Sequence, residues 1–243
     1  MSAARWAALA AMVAVGGALT GCVGAPVDQR PTVRIVEAAA PSEAMPFGHV
    51  LPTAQELSQV LGTGPDGFMG QIVQGDAGML LRNVGETEVV PADCVSAAYR
   101  LQNVVYDDSP VRSVATNTWA GGGFDGPPVT GHFGIVQMAS AAAAQEFFAT
   151  LTGAWHRCNG QTLARQQVGE LSRVTDVSFD QRIVSANILH ASHGTAAPDQ
   201  LRAVALAGDC IVEVELTDPR PTGDVRGAAG VAALMLDKIA AHR

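Results

Sequence analysis

The sequence predicts an α+β domain built on a mainly antiparallel sheet with helices packed on one face. Two observations carry that reading. Short apolar runs, several with period-two alternation, follow one another across turn-length connections. Helical patterns stand before, between and after them. A third observation is Gly208-Asp209, a favoured two-residue turn that makes residues 201–207 and 210–216 a hairpin.

Residues 1–21 are expected to form no part of that domain. Arg5 precedes an uncharged apolar stretch from Trp6 to Leu19, shorter than the roughly 20 residues a membrane-spanning helix needs. It ends in small residues rather than in the Lys or Arg of a stop-transfer helix. This is the layout of a cleaved export signal. The ending Leu19-Thr20-Gly21-Cys22 resembles the bacterial lipobox, which implies thioether lipidation of Cys22 and cleavage just before it. Each buried methylene contributes about 0.8 kcal/mol, so two or more chains on Cys22 hold a protein stably on a bilayer. The expected partner of Cys22 is therefore the lipid of the cell membrane, at its outer face. Residues 22–47 mix Pro, Ala and scattered charges without periodicity and read as a flexible tether. The domain proper is placed at 48–243.

Thr53 and Glu56 stand at capping-box spacing, so a helix starts there, with Leu57, Val60 and Leu61 as its apolar stripe. The run Gly62-Thr63-Gly64-Pro65-Asp66-Gly67 that follows matches G-x-G-x-x-G letter for letter. Dinucleotide binding needs that motif between a strand and a helix, whereas here it follows a helix and contains turn residues. It is read as a turn. A second helix is predicted from near Pro91 to Val105, because Val95, Ala98, Leu101 and Val105 recur at helical spacing. Residues 111–120 and 132–138 read as strands joined across a glycine-rich link. Ser140 caps a third helix that runs to Trp155, with Phe147, Leu151 and Trp155 on one face. Residues 171–179 and 182–190 are strands, the 201–216 hairpin follows, and a helix over 224–241 closes the chain.

Loss of residues 1–21 removes Arg5, leaving 14 of the 15 Lys and Arg against 23 Asp and Glu, a net charge of −9. So acidic a domain is a poor ligand for nucleic acid, and none is expected as a partner. No G-x-S-x-G elbow, H-E-x-x-H helix or phosphate loop appears, and no cofactor is expected. His190 and His193 have metal-like spacing but lie at a strand end without a third ligand nearby, so they read as a solvated pair. Alternation puts Cys210, Val212, Val214 and Leu216 on one face of their strand, with Cys210 expected to be a buried thiol. Ile211, Glu213 and Glu215 fall on the other face, which is expected to be exposed.

Asp93-Cys94, Val105-Tyr106-Asp107-Asp108-Ser109, Ile135-Val136-Gln137-Met138, the helix from Ser140 through Gln145-Glu146-Phe147-Phe148 and Trp155-His156-Arg157-Cys158 together resemble a known family. It is the PknH-like sensor domain, the extracellular part of a mycobacterial serine/threonine kinase, also carried by stand-alone lipoproteins. The resemblance runs from about residue 50 to the end of the chain. It implies a cleft between sheet and helices that binds a small ligand, and a disulfide between Cys94 and Cys158. It also implies a second disulfide at positions near Gln200 and Thr217, where this chain has no cysteine.

The expected function is thus a membrane-anchored envelope lipoprotein whose sensor-like domain binds a small ligand without catalysis. Tyr106, Arg112 and Gln137 are the candidate ligand contacts, chosen for polar groups beside apolar surface. One alternative is a module that docks on another envelope protein. The other is a hydrolase whose site is dispersed along the chain.

Overall fold

In a computed structural model of the chain, residues 46–64, 67–85, 88–122, 126–220 and 227–242 are described. They lie within one unit, Ala39–Arg243. Cys22, the export signal and most of the tether fall outside them.

Nine strands make one sheet: β1 Phe68–Met69, β2 Val73–Gly75, β3 Val111–Gly121, β4 Val129–Met138, β5 Thr162–Arg165, β6 Glu170–Asp180, β7 Ile183–Ser192, β8 Thr195–Ala207 and β9 Cys210–Thr217. Their order is β1-β3-β4-β9-β8-β7-β6-β5, with β2 also on β3, and every pairing is antiparallel. The expected 201–216 hairpin forms, pairing Ala207 with Cys210 across Gly208-Asp209. Gly208, at φ +60°, takes the left-handed conformation that this turn requires.

Helices α1 Ala54–Leu61, α2 Val95–Ala98, α3 Asn103–Tyr106, α4 Ala141–Cys158 and α5 Gly227–Ala241 cover the sheet. The α+β class holds, but the helices lie on both faces rather than one. Helix α4 buries Ala144, Phe148, Leu151, Trp155 and Cys158 against Val114, Val136, Val204 and Ile211. Helix α5, with α1, covers the alternate residues Ala115, Ile135, Ala205 and Val212 on the reverse side. Both faces of the central strands carry apolar side chains, and each set has to be removed from water. The expectation of four helices on a single face missed that the first and the last of them cover the far side.

Two helix starts are as predicted. Thr53 accepts from the Glu56 amide while the Glu56 carboxylate accepts from the Thr53 amide, and Ser140 accepts from the Ala143 amide. Gly62 ends α1 in the left-handed conformation, so the G-x-G-x-x-G run begins as a helix cap.

The helix expected over residues 91–105 is broken in two. Tyr99 is extended, and Leu101 has φ +50°. Tertiary hydrogen bonds capture the backbone there: Leu81 N–H donates to Leu101 C=O at 2.8 Å, Asn103 N–H to Leu81 C=O at 2.7 Å, and Leu101 N–H to a Glu213 carboxylate oxygen at 3.1 Å. Gly134 of β4 makes room for this crossing, since a Cβ on it would lie 2.7 Å from Leu101 Cδ1. The break turns Tyr99, Arg100 and Gln102 towards the ends of the central strands.

Candidate functional site

Arg202 on β8 stands opposite Glu215 on β9, two residues from Glu213, on the face that α4 covers. Its side chain is fully buried and pairs with Glu213 at 2.9 Å and Glu215 at 3.7 Å. The same guanidinium donates to the Ser96 carbonyl at 3.2 Å and lies over the Trp155 ring. Glu213 accepts from the Tyr106 hydroxyl as well as from Leu101 N–H. Glu215 faces Arg100 at 3.6 Å, and Arg100 bonds His132 Nδ1 at 3.1 Å. Glu213 and Glu215 are therefore buried, contrary to the exposed face expected of them. A buried carboxylate is stable only when paired and hydrogen-bonded, and these two share two arginines, a phenol and a backbone amide.

Burial favours the neutral form of two of these groups. Burial, with Glu213 alongside, raises the Tyr106 phenol well above its usual range. Burial and the adjacent Arg100 cation push His132 down.

Above this cluster opens a polar cavity of about 450 Å³. One wall is the broken segment, with Tyr99, Arg100 and Gln102; the other is the ends of β6, β7 and β8, with Glu170, His190 and Gln200. The Tyr99 hydroxyl donates to Glu170 at 3.1 Å, and Arg165 grips the same carboxylate at 2.9 Å. Burial pushes the Tyr99 phenol up to about 12, so it stays a donor. His190 bridges Ser172 at 3.0 Å and Gln200 at 2.9 Å. Gln102 is 1 % exposed; its amide nitrogen donates to Arg100 C=O, while its Oε1 has no hydrogen-bond partner. That acceptor has almost no accessible surface, so it lies behind the cavity wall rather than open to it.

The structure does not gather the three candidate contacts into one place. Tyr106 is buried, bonded to Glu213 and stacked on Phe147, and lines neither this cavity nor the groove beside α4. Gln137 is buried at the end of β4, where it donates to Asp209 at 2.9 Å and accepts from Ser113. Arg112 is exposed near the start of β3. Sequence reasoning passed over Tyr99, Arg100, Gln102, Glu170 and Gln200. The one available signal was the cluster of polar side chains in 99–103, which lay within the helix expected over 91–105 and was not singled out. Of the spaced histidines, His190 enters the cavity wall and His193 lies beyond it at φ +48°. No three His, Cys, Asp or Glu side chains converge as a metal site among the described residues.

Cys94 and Cys158 form the disulfide, with Cα atoms 5.6 Å apart, fastening the segment before α2 to the end of α4. Cys210 is buried outside any disulfide. Its thiol donates weakly to Asp209, and burial pushes it up to about 12. Gln200 and Thr217, near which the second bridge was implied, face each other in the β8–β9 register and both line the cavity.

The described residues form an open antiparallel sheet with helices on both faces and a polar cavity beside the broken segment. The crystal structure of the extracellular domain of PknH from Mycobacterium tuberculosis superposes with a TM-score of 0.64 at 19 % identity, over 79 % of this chain and 93 % of that one. An uncharacterized protein from Mycobacterium smegmatis gives 0.37 at 12 % identity, over 77 % and 94 %. The model of the PknH-like extracellular domain matches residues 42–238, and the chain belongs to that family. No curated protein sequence matches it. No helix among the described residues is long and apolar enough to cross a membrane.

Proposed function

We propose that the chain is an envelope lipoprotein, anchored through lipid on Cys22, whose domain senses a small polar ligand of no net charge without catalysing a reaction. The observation that carries this reading is the cavity of about 450 Å³ walled by polar side chains, Tyr99, Arg100, Glu170, His190 and Gln200 among them. The surrounding charges supply the ligand class. Arg100 and Arg165 are matched by Glu215 and Glu170, so the wall offers donors and acceptors with little net field. A polyhydroxyl or zwitterionic molecule suits such a wall better than an anion or a cation. The non-catalytic part rests on membership of the PknH-like extracellular domain family.

Native mass spectrometry of the protein purified from its own host is the test, with a retained small molecule expected. Repeated empty preparations, together with no thermal shift from a screen of neutral metabolites, overturn the ligand reading. Docking on another envelope protein then gains ground, through exposed Phe68, Ile72 and Val73 at the β1–β2 edge. The anchor is tested separately by detergent partitioning of wild type against Cys22→Ala. Equal partitioning of both into the aqueous phase rules it out.

A further inference from the structure

On the far side of the broken segment from the polar cavity lies a groove of about 560 Å³. One wall is a single stripe of α4, from Ala143 through Phe147 and Leu151 to Ala154; the other is Val95, Val104 and Val105. We propose that this groove is a second binding site, which takes a small apolar molecule bearing an alkylammonium group.

Volume and floor set the apolar part of that choice. The space is that of a drug-sized ligand, and the side chains at its base are aliphatic or aromatic. Charge sets the rest. Asp93, Asp108 and Glu146 stand around the groove, and no Arg, Lys or His lines it. All three carboxylate residues are exposed, and among the described residues no ion pair or side-chain hydrogen bond engages them. An anion is repelled there, and a neutral ligand leaves the field unused. The aromatic lining adds a third attraction, because Phe147 is backed by the stacked Tyr106 ring at 4.5 Å and a ring face attracts an ammonium group. The walls are also held in place: the Cys94–Cys158 bridge ties the segment before Val95 to α4 one turn beyond Ala154.

Isothermal titration calorimetry of the purified protein with benzyltrimethylammonium, benzyl alcohol and benzenesulfonate tests the site. The cation is expected to bind at least about tenfold tighter than the alcohol, with the sulfonate weakest. Asp108→Asn with Glu146→Gln, at exposed positions, should cut that preference several-fold, with Asp93 left in place, and leave the melting temperature unchanged. Ala154→Trp, which fills the groove, should weaken all three. Glu170→Gln, in the other cavity, should change none. Equal affinities, no binding at all, or a cation preference undiminished in D108N/E146Q overturns the proposal. So does its loss in E170Q, which would put the cation in the polar cavity. Binding of a Lys- and Arg-rich peptide without binding of the small cation makes the occupant a protein and equally defeats it.

Discussion

Strand β9 shows two chemistries one residue apart. Towards α5 it presents Cys210, Val212, Val214 and Leu216, all fully buried among aliphatic side chains. Towards α4 it presents Ile211, then Glu213 and Glu215, which are buried around Arg202. The α5 side is held by packing, which is roughly proportional to area and indifferent to direction. The α4 side adds directional contacts that fix a non-helical segment over the sheet. The difference teaches that in this fold both faces are held by packing, and the α4 face alone adds the polar contacts that shape the cavity.

The sharpest way to break that contrast is Arg202→Met. It leaves two buried carboxylates without their guanidinium and should cost about 3–5 kcal/mol in urea unfolding. Adding Glu213→Leu and Glu215→Leu should recover only part of the loss, because the Tyr106 hydroxyl, the Leu101 amide and Arg100 then lose their acceptors, and should abolish ligand binding in the cavity. Next is the Cys94→Ala, Cys158→Ala pair. It opens a loop with a sequence separation of 64, for an expected loss of about 2–4 kcal/mol by the same measurement. On the dry face, Val212→Ala should cost roughly 1–3 kcal/mol, from lost transfer energy and a small cavity, with ligand binding retained.

A smaller effect concerns pH. His132 is held below the ordinary imidazole value by burial and by Arg100. The unfolded chain therefore takes up this proton first, at about 6.5. Its contribution is fully present above that value and is lost as pH falls towards the folded pKa. His132→Gln should flatten that part of the stability profile. Least of all, Lys238→Ala removes a partly exposed pair with Glu56 and should cost under about 1 kcal/mol, shrinking further in high salt.

The elements most legible in the sequence were those whose own periodicity agrees with their surroundings. Ser140 and the spacing of Phe147, Leu151 and Trp155 suffice to specify α4, although Phe148 rather than Phe147 is the buried phenylalanine, and Gly208-Asp209 specifies the final hairpin. Alternation also sorted β9 correctly into two faces. It could not tell that the face with Glu213 and Glu215 is covered, because the covering side chain, Arg202, and the covering segment come from elsewhere in the chain. The 91–105 region misled for the same reason. Its helical spacing is real, yet bonds to Leu81 and Glu213 override it, and that break is what carries Tyr99, Arg100 and Gln102 to the cavity.

The Arg202 cluster has a consequence for how such a chain can diverge. Losing the arginine alone strands two acids, and losing Glu213 alone strands a guanidinium, a phenol and the Leu101 amide. Each single step leads through a poorly folded intermediate, so drift at these positions is confined to rare simultaneous changes. Descendants of this chain should keep the whole set or have replaced all of it, and Ser96 to Tyr106 should change course in those that have.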